Sequence, residues 1–331
     1  MRAHAAMSTG AGVESAAGAE EARKTRRSSN KVKQQAHVPL SAVLLIVCAS
    51  ACFTTVDVSV KHLSQRYPVP LIVWARWGVQ TLVILGIVGP RMRTGLFRTT
   101  RLAMHLVRAV LLIGSSLSFF FALSYLPLAE ATALNYTAPI LVTLLAGWFL
   151  NERLTRPRWA FIGAGFVGML LIVRPGSEVL APAALLALGA AALYAIFQII
   201  TRKLAGENLM VLLFYPSLVG TVLFSLGVPF VHVEGWYPTS DLAAFIGIGV
   251  VGSLGHLLFI QAFQRASASA IAPFTYMQLV WSTLAGWVVF GTFPDGWAAT
   301  GILVIAGSGV VLTWYERWRA SVPQSEPAAV D

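Results

Sequence analysis

The sequence predicts an all-α membrane protein of ten transmembrane helices, built as two inverted five-helix repeats. Three observations carry this expectation. Of the 331 residues 56% are hydrophobic and only 11% charged, whereas a soluble domain carries about 25% Asp, Glu, Lys and Arg. Apolar runs of about 20 residues, the length that crosses a hydrocarbon core of about 30 Å, recur along the whole chain. The string LAGW occurs at Leu145–Trp148 and again at Leu284–Trp287, 139 residues further on.

The elements follow in order. Residues 1–38 are rich in Ala, Gly and Ser and turn basic from Arg23 to Lys33, with no apolar core ahead of a cleavage site. They read as a disordered cytoplasmic tail, not a signal peptide, with the basic run a topology anchor and contact with anionic lipid the alternative. Spans are expected near 40–60, 69–89, 103–126, 129–150, 159–173, 182–201, 209–231, 242–264, 268–290 and 297–315, before a cytoplasmic tail at 317–331. Runs such as VILGIV and LLFYPSLVGTVLF are apolar on every face, whereas barrel strands alternate. Cys48 and Cys52, the only cysteines, share one face of the first span and read as packing residues, not a disulfide.

The net charge of +10 does not imply a nucleic-acid partner, because of where it sits. Nineteen of the 24 Lys and Arg fall in the tails and in alternate loops. The other set of loops holds only Lys61, Arg66 and Arg174. This is the positive-inside pattern, and it predicts that both termini are cytoplasmic and that the loop near 233–241, with Glu234, is outside.

Behind each LAGW comes a second echo, RWAFIG at Arg158–Gly163 and GWAATG at Gly296–Gly301. Ahead of them Ala131 aligns with Ala270 and Ala133 with Ala272. The chain therefore divides into two five-span units, 39–175 and 180–316. Copies with an odd number of spans sit upside down relative to one another, the architecture of alternating-access transporters with a midplane site. Small residues at Ala160, Ala164 and Gly168, and at Gly249 and Ser253, offer close helix approach.

With the ten spans and the duplication, the stretch NYTAPILVTLLAGWFLNERLT around Pro139 and the ending LIVRPG resemble the drug/metabolite transporter superfamily, EamA type. The resemblance covers about residues 40 to 315. It implies a transporter in the bacterial inner membrane moving a small organic metabolite such as an amino acid, vitamin or nucleotide-like compound. Its partners are that substrate and the bilayer, with a homodimer left open. The second unit departs from the first: TFPDGW replaces LNERLTRPRW and lacks a counterpart of Glu152, so any role of Glu152 is not symmetric.

Ionisable groups inside a membrane are costly and mark candidate sites. Asp57 lies roughly 25 Å along the first span and Arg76 roughly 10 Å below the outer end of the second, at 1.5 Å rise per residue. Their matched depth predicts an ion pair that gates or anchors substrate, or a structural clasp. Lys61 is expected to snorkel outward, and Arg108 to snorkel at the inner end of the third span. Glu130 opens the fourth span as a helix anchor or a proton acceptor. Asn135, Tyr136 and Pro139 follow, and Pro139 removes a backbone donor near the midplane. Its counterpart in the second unit is Gln278, flanked by Tyr276 and Trp281, which could stack on a planar or cationic substrate or pack between helices. Tyr194 and Gln198 on the sixth span and His256 on the eighth complete the candidates. His256 carries a proton or bonds a carbonyl.

No metal-ligand spacing, G-x-S-x-G or Walker glycine loop occurs, so no catalytic group, metal or cofactor is expected. Transport must then run on a gradient or by exchange. The rival classes are a membrane-embedded lipid-modifying enzyme, which needs clustered His or Asp, and a channel, which needs a continuous polar stripe.

Overall fold

A computed structural model describes residues 39–149, 155–174, 181–204, 206–227, 238–266 and 268–321. Glu152, Glu234 and the tail 1–38 lie outside the described residues. Those described form helices and no strand. We number them α1 (Leu40–Leu63), α2 (Val69–Ile87), α3 (Leu102–Tyr125), α4a (Leu128–Asn135), α4b (Ala138–Phe149), α5 (Arg156–Val173), α6 (Ala181–Lys203), α7 (Leu209–Gly227), α8 (Thr239–Arg265), α9a (Ala268–Thr275), α9b (Met277–Phe290) and α10 (Gly296–Ser321). The last runs to Ser321, into the stretch expected as tail.

Among the described residues nine stretches are long and apolar enough to cross a membrane. The expected ninth span, 268–290, is absent from that set; like the fourth it is broken, at Tyr276, and Gln278, Ser282 and Thr283 make it less apolar.

Proline marks the entrances. Pro39, Pro68, Pro127 and Pro238 stand just before α1, α2, α4a and α8. Proline lacks the N–H that a first turn leaves unbonded, and its fixed φ suits entry into a helix. Left-handed residues mark two exits: Arg174 (φ 45°) ends α5 and Gly291 (φ 67°) ends α9b.

Helix α8 lies along α1 and α2, α6 along α3, α7 along α2 and α3, and α10 along α5. Helix α9b packs on α1, and α4b on α6. The α5–α10 crossing depends on glycine: a Cβ at Gly301 would stand 2.6 Å from the Gly168 carbonyl oxygen. Leu82, Leu185, Leu226 and Leu303 are about 70% exposed, a lipid-facing surface rather than a wet one.

Polar contacts collect at the two ends of this apolar belt. At one end Arg66 and the Tyr67 hydroxyl reach Asp241, at 3.4 and 2.9 Å, and Arg174 pairs with Asp295. At the other end Arg158 pairs with Glu316 at 2.8 Å, and Arg101 donates to the Lys203 carbonyl at 2.8 Å.

Candidate functional site between two broken helices

Two helices break at equivalent points of the repeat. Helix α4 stops after Asn135 and restarts at Ala138; α9 stops at Thr275 and restarts at Met277. Pro139 sits in the first turn of α4b, where its missing N–H costs nothing, so the break falls ahead of it rather than on it. At the second break the Leu279 N–H bonds the Tyr276 carbonyl, one residue nearer than in a regular α-helix. The Tyr136 hydroxyl donates to the Thr275 carbonyl across the molecule, at 2.6 Å. Donor and acceptor are 139 residues apart, the spacing of the two LAGW strings.

From this junction a chain of polar groups leads to α1. The Tyr136 hydroxyl lies 3.2 Å from the Gln278 Oε1, and the Gln278 Nε2 donates to the Asp57 Oδ2 at 3.2 Å. The Tyr276 ring leans on Tyr136, centroids 5.3 Å apart, and its other side meets α10 at Gly309, where any Cβ would collide with it. Asn135 Oδ1 and Trp281 Nε1 are buried and have no hydrogen-bond partner among the described residues. Trp281 follows Gln278 by three residues and so shares its helix face.

The expected Asp57–Arg76 pair is not a direct contact. Both groups are buried, 5% and 8% exposed, and their charges interact through space. Yet Asp57 is taken by the Gln278 amide, and the Arg76 Nη1 donates to Ser116 Oγ on α3 at 3.2 Å. The Arg76 guanidinium lies over the Trp77 and Phe120 rings, 4.7 and 5.5 Å from their centroids, which draws it toward α3 and away from α1.

Two further expectations are corrected. Lys61 does not snorkel; its Nζ donates to the Leu126 and Leu123 carbonyls, at 2.7 and 2.9 Å, at the end of α3. A helix C-terminus presents bare carbonyls and a negative dipole end, which is a better partner than interfacial water. Arg108 does not snorkel either. It is buried and bridges three helices: Nε donates to Thr201 Oγ1 on α6 at 2.8 Å, Nη1 to the Leu212 carbonyl on α7 at 2.7 Å, over the Phe197 ring. Its partners come from other helices and were not legible in the sequence.

The remaining candidates divide. Tyr194 stacks on Phe197 and lies close enough to Tyr136 and Arg108 to feel both. His256 on α8 meets Phe53 edge to face at 5.0 Å, within range of both arginine charges. Gln198 on α6 is half-buried and takes no part in the hydrogen bonds of the cluster. Glu130 lies instead near Arg174 and Asp295 at the end of the bundle, apart from Asp57. Among the described residues no group of three or more His, Cys, Asp or Glu is placed to hold a metal.

The model of the EamA-like transporter family matches residues 40–174 and 181–314. The chain belongs to that family. As an EamA-family member it is 30% identical over 264 residues to an S-adenosylmethionine uptake transporter of Rickettsia conorii, covering 79% of this chain and 88% of the relative. It is 28% identical over 291 residues to a riboflavin transporter of Vibrio cholerae, 85% and 95% covered. To a pseudopaline exporter of Pseudomonas aeruginosa it is 29% identical over 281 residues, 82% and 96% covered. One solved crystal structure shares this EamA-family fold with a TM-score of 0.59 at 21% identity, over 83% of this chain and 98% of the other.

Proposed function

We propose that the chain is a secondary transporter that moves a small organic metabolite by alternating access, driven by a gradient or by exchange. The observation that carries the reading is the Tyr136–Thr275 bond, which joins two helix breaks at equivalent points of a duplicated chain beside buried Asp57 and Gln278. Broken helices are tolerated at membrane depth where they line a site, and sites of inverted-repeat carriers lie between the repeats.

The two units, 39–175 and 180–316, are inverted in this reading. Helices alternate in direction along the chain, so with five per unit α1 and α6 start at opposite ends. The pairings support a two-fold relation: α1 on α8 is matched by α6 on α3, and α9b on α1 by α4b on α6. Such a pair of units closes one end by opening the other. Both termini are cytoplasmic, on the strength of the basic residues, and the membrane is the bacterial inner membrane. The named relatives carry a nucleoside-bearing amino acid, a vitamin and an exported metabolite, so the relatives themselves favour neither import nor export here.

Counterflow in proteoliposomes tests this. Vesicles preloaded with an unlabelled substrate should accumulate the labelled one transiently above equilibrium. A channel would equilibrate without overshoot, and an enzyme would convert the label; either result would reject the proposal.

A further inference from the structure

The next step deepens the transport reading and rests on it. Asp57 and Arg76 place a carboxyl and a guanidinium in one buried cluster. Opposite charges in a low-dielectric interior gain most by closing into a hydrogen-bonded pair. These two are held apart, each by a neutral group: Gln278 on the carboxylate, Ser116 on the guanidinium. Neither contact cancels a charge. A guanidinium has five N–H donors, and among the described residues that of Arg76 uses one on a protein acceptor, while its buried Nε bonds nothing. The second buried arginine, Arg108, differs: it spends itself on Thr201 and Leu212.

We infer that the site is built for a zwitterion, its cationic group against the Asp57 carboxylate and its carboxylate on the Arg76 guanidinium. An amino-acid head carries both charges on one carbon and satisfies both groups at once. A planar carboxylate suits the guanidinium fork, which recognises it by two parallel bonds. An uncharged ligand of the same shape displaces contacts and leaves two buried charges without partners, so the site rejects it.

The test changes the ligand and leaves the protein intact. Full-length chain in proteoliposomes is assayed for counterflow of labelled S-adenosylmethionine, methionine, tryptophan and riboflavin. Whichever zwitterion exchanges is then challenged with its methyl ester, which lacks the anion, and its N-acetyl form, which lacks the cation. Each should compete at least about tenfold less well than the parent, the worth of one charge-assisted hydrogen bond. In Arg76→Gln the handicap of the ester should vanish while that of the N-acetyl form remains; Asp57→Asn should do the reverse. Exchange of riboflavin without any zwitterion overturns the inference, and so do ester and N-acetyl forms that compete as well as their parents. Exchange of no compound at all, by folded protein, overturns the transport reading itself.

Discussion

Charged side chains inside this bundle are held by groups from neighbouring helices, Lys61 by α3 and Arg108 by α6 and α7. Lys61 was visible as a charge near a helix end, but a sequence does not say which neighbour ends beside it. Two α3 carbonyls do. Lys61→Met should therefore destabilise the fold by about 1–3 kcal/mol, the cost of leaving buried acceptors unsatisfied. Thermal unfolding in detergent measures it; a snorkelling lysine would tolerate the change. Asp295 makes a second prediction, because it lies outside the spans. Its bond to Arg174, helped by the Ala298 N–H, draws its carboxyl down to about 2 from an ordinary 3.8. For an acid so depressed, the stabilisation is complete above 3.8 and is lost only as pH falls through about 2. The pair stays ionised across the range in which cells live. Transport profiles of the protein and of Asp295→Asn between pH 7 and 5 should share one shape, and a profile that flattens in the variant would show that the pair titrates there after all.

At the scale of elements, the helices were legible because their apolar runs have the length of a bilayer, and their entrances because proline marks them. The breaks were legible only in outline. Pro139 and Gln278 lie close to the two breaks, yet the break at Tyr136–Thr137 lies ahead of the proline, and Tyr136 bonds Thr275 as well as Gln278. Small residues behaved likewise. Gly168 meets Gly301 as a close-approach face demands, while Ala160 on the same helix is exposed. The break contact is testable. Tyr136→Phe keeps the ring against Tyr276 but removes the hydrogen bond to the Thr275 carbonyl, at a cost of roughly 0.5–1.5 kcal/mol. We expect folded protein with exchange reduced about tenfold or more, measured as counterflow rate against Tyr276→Phe, whose hydroxyl makes no bond in this cluster. Equal rates in the two variants would separate the inter-repeat bond from transport.

The whole molecule is where the duplication acts. The family match over 40–174 and 181–314 shows that the chain is doubled; that the copies are inverted is our proposal from an odd span count, and sidedness measures it. The loops after α1 and after α6 begin equivalent stretches of the two units, and each carries an exposed polar residue, Gln65 and Asn208. In a background with Cys48 and Cys52 replaced by alanine, Gln65→Cys and Asn208→Cys report the two faces separately. Asn208 caps the Met210 N–H at 2.8 Å, so its replacement costs about 1 kcal/mol, too little to unfold a bundle of this size. An impermeant maleimide should label Gln65→Cys in whole cells and Asn208→Cys only after permeabilisation. The reverse pattern would keep the inversion and turn the protein over, placing its basic loops outside against the positive-inside rule. Labelling of both from one side would remove the inversion, and with it the rocking of one unit against the other on which alternating access depends.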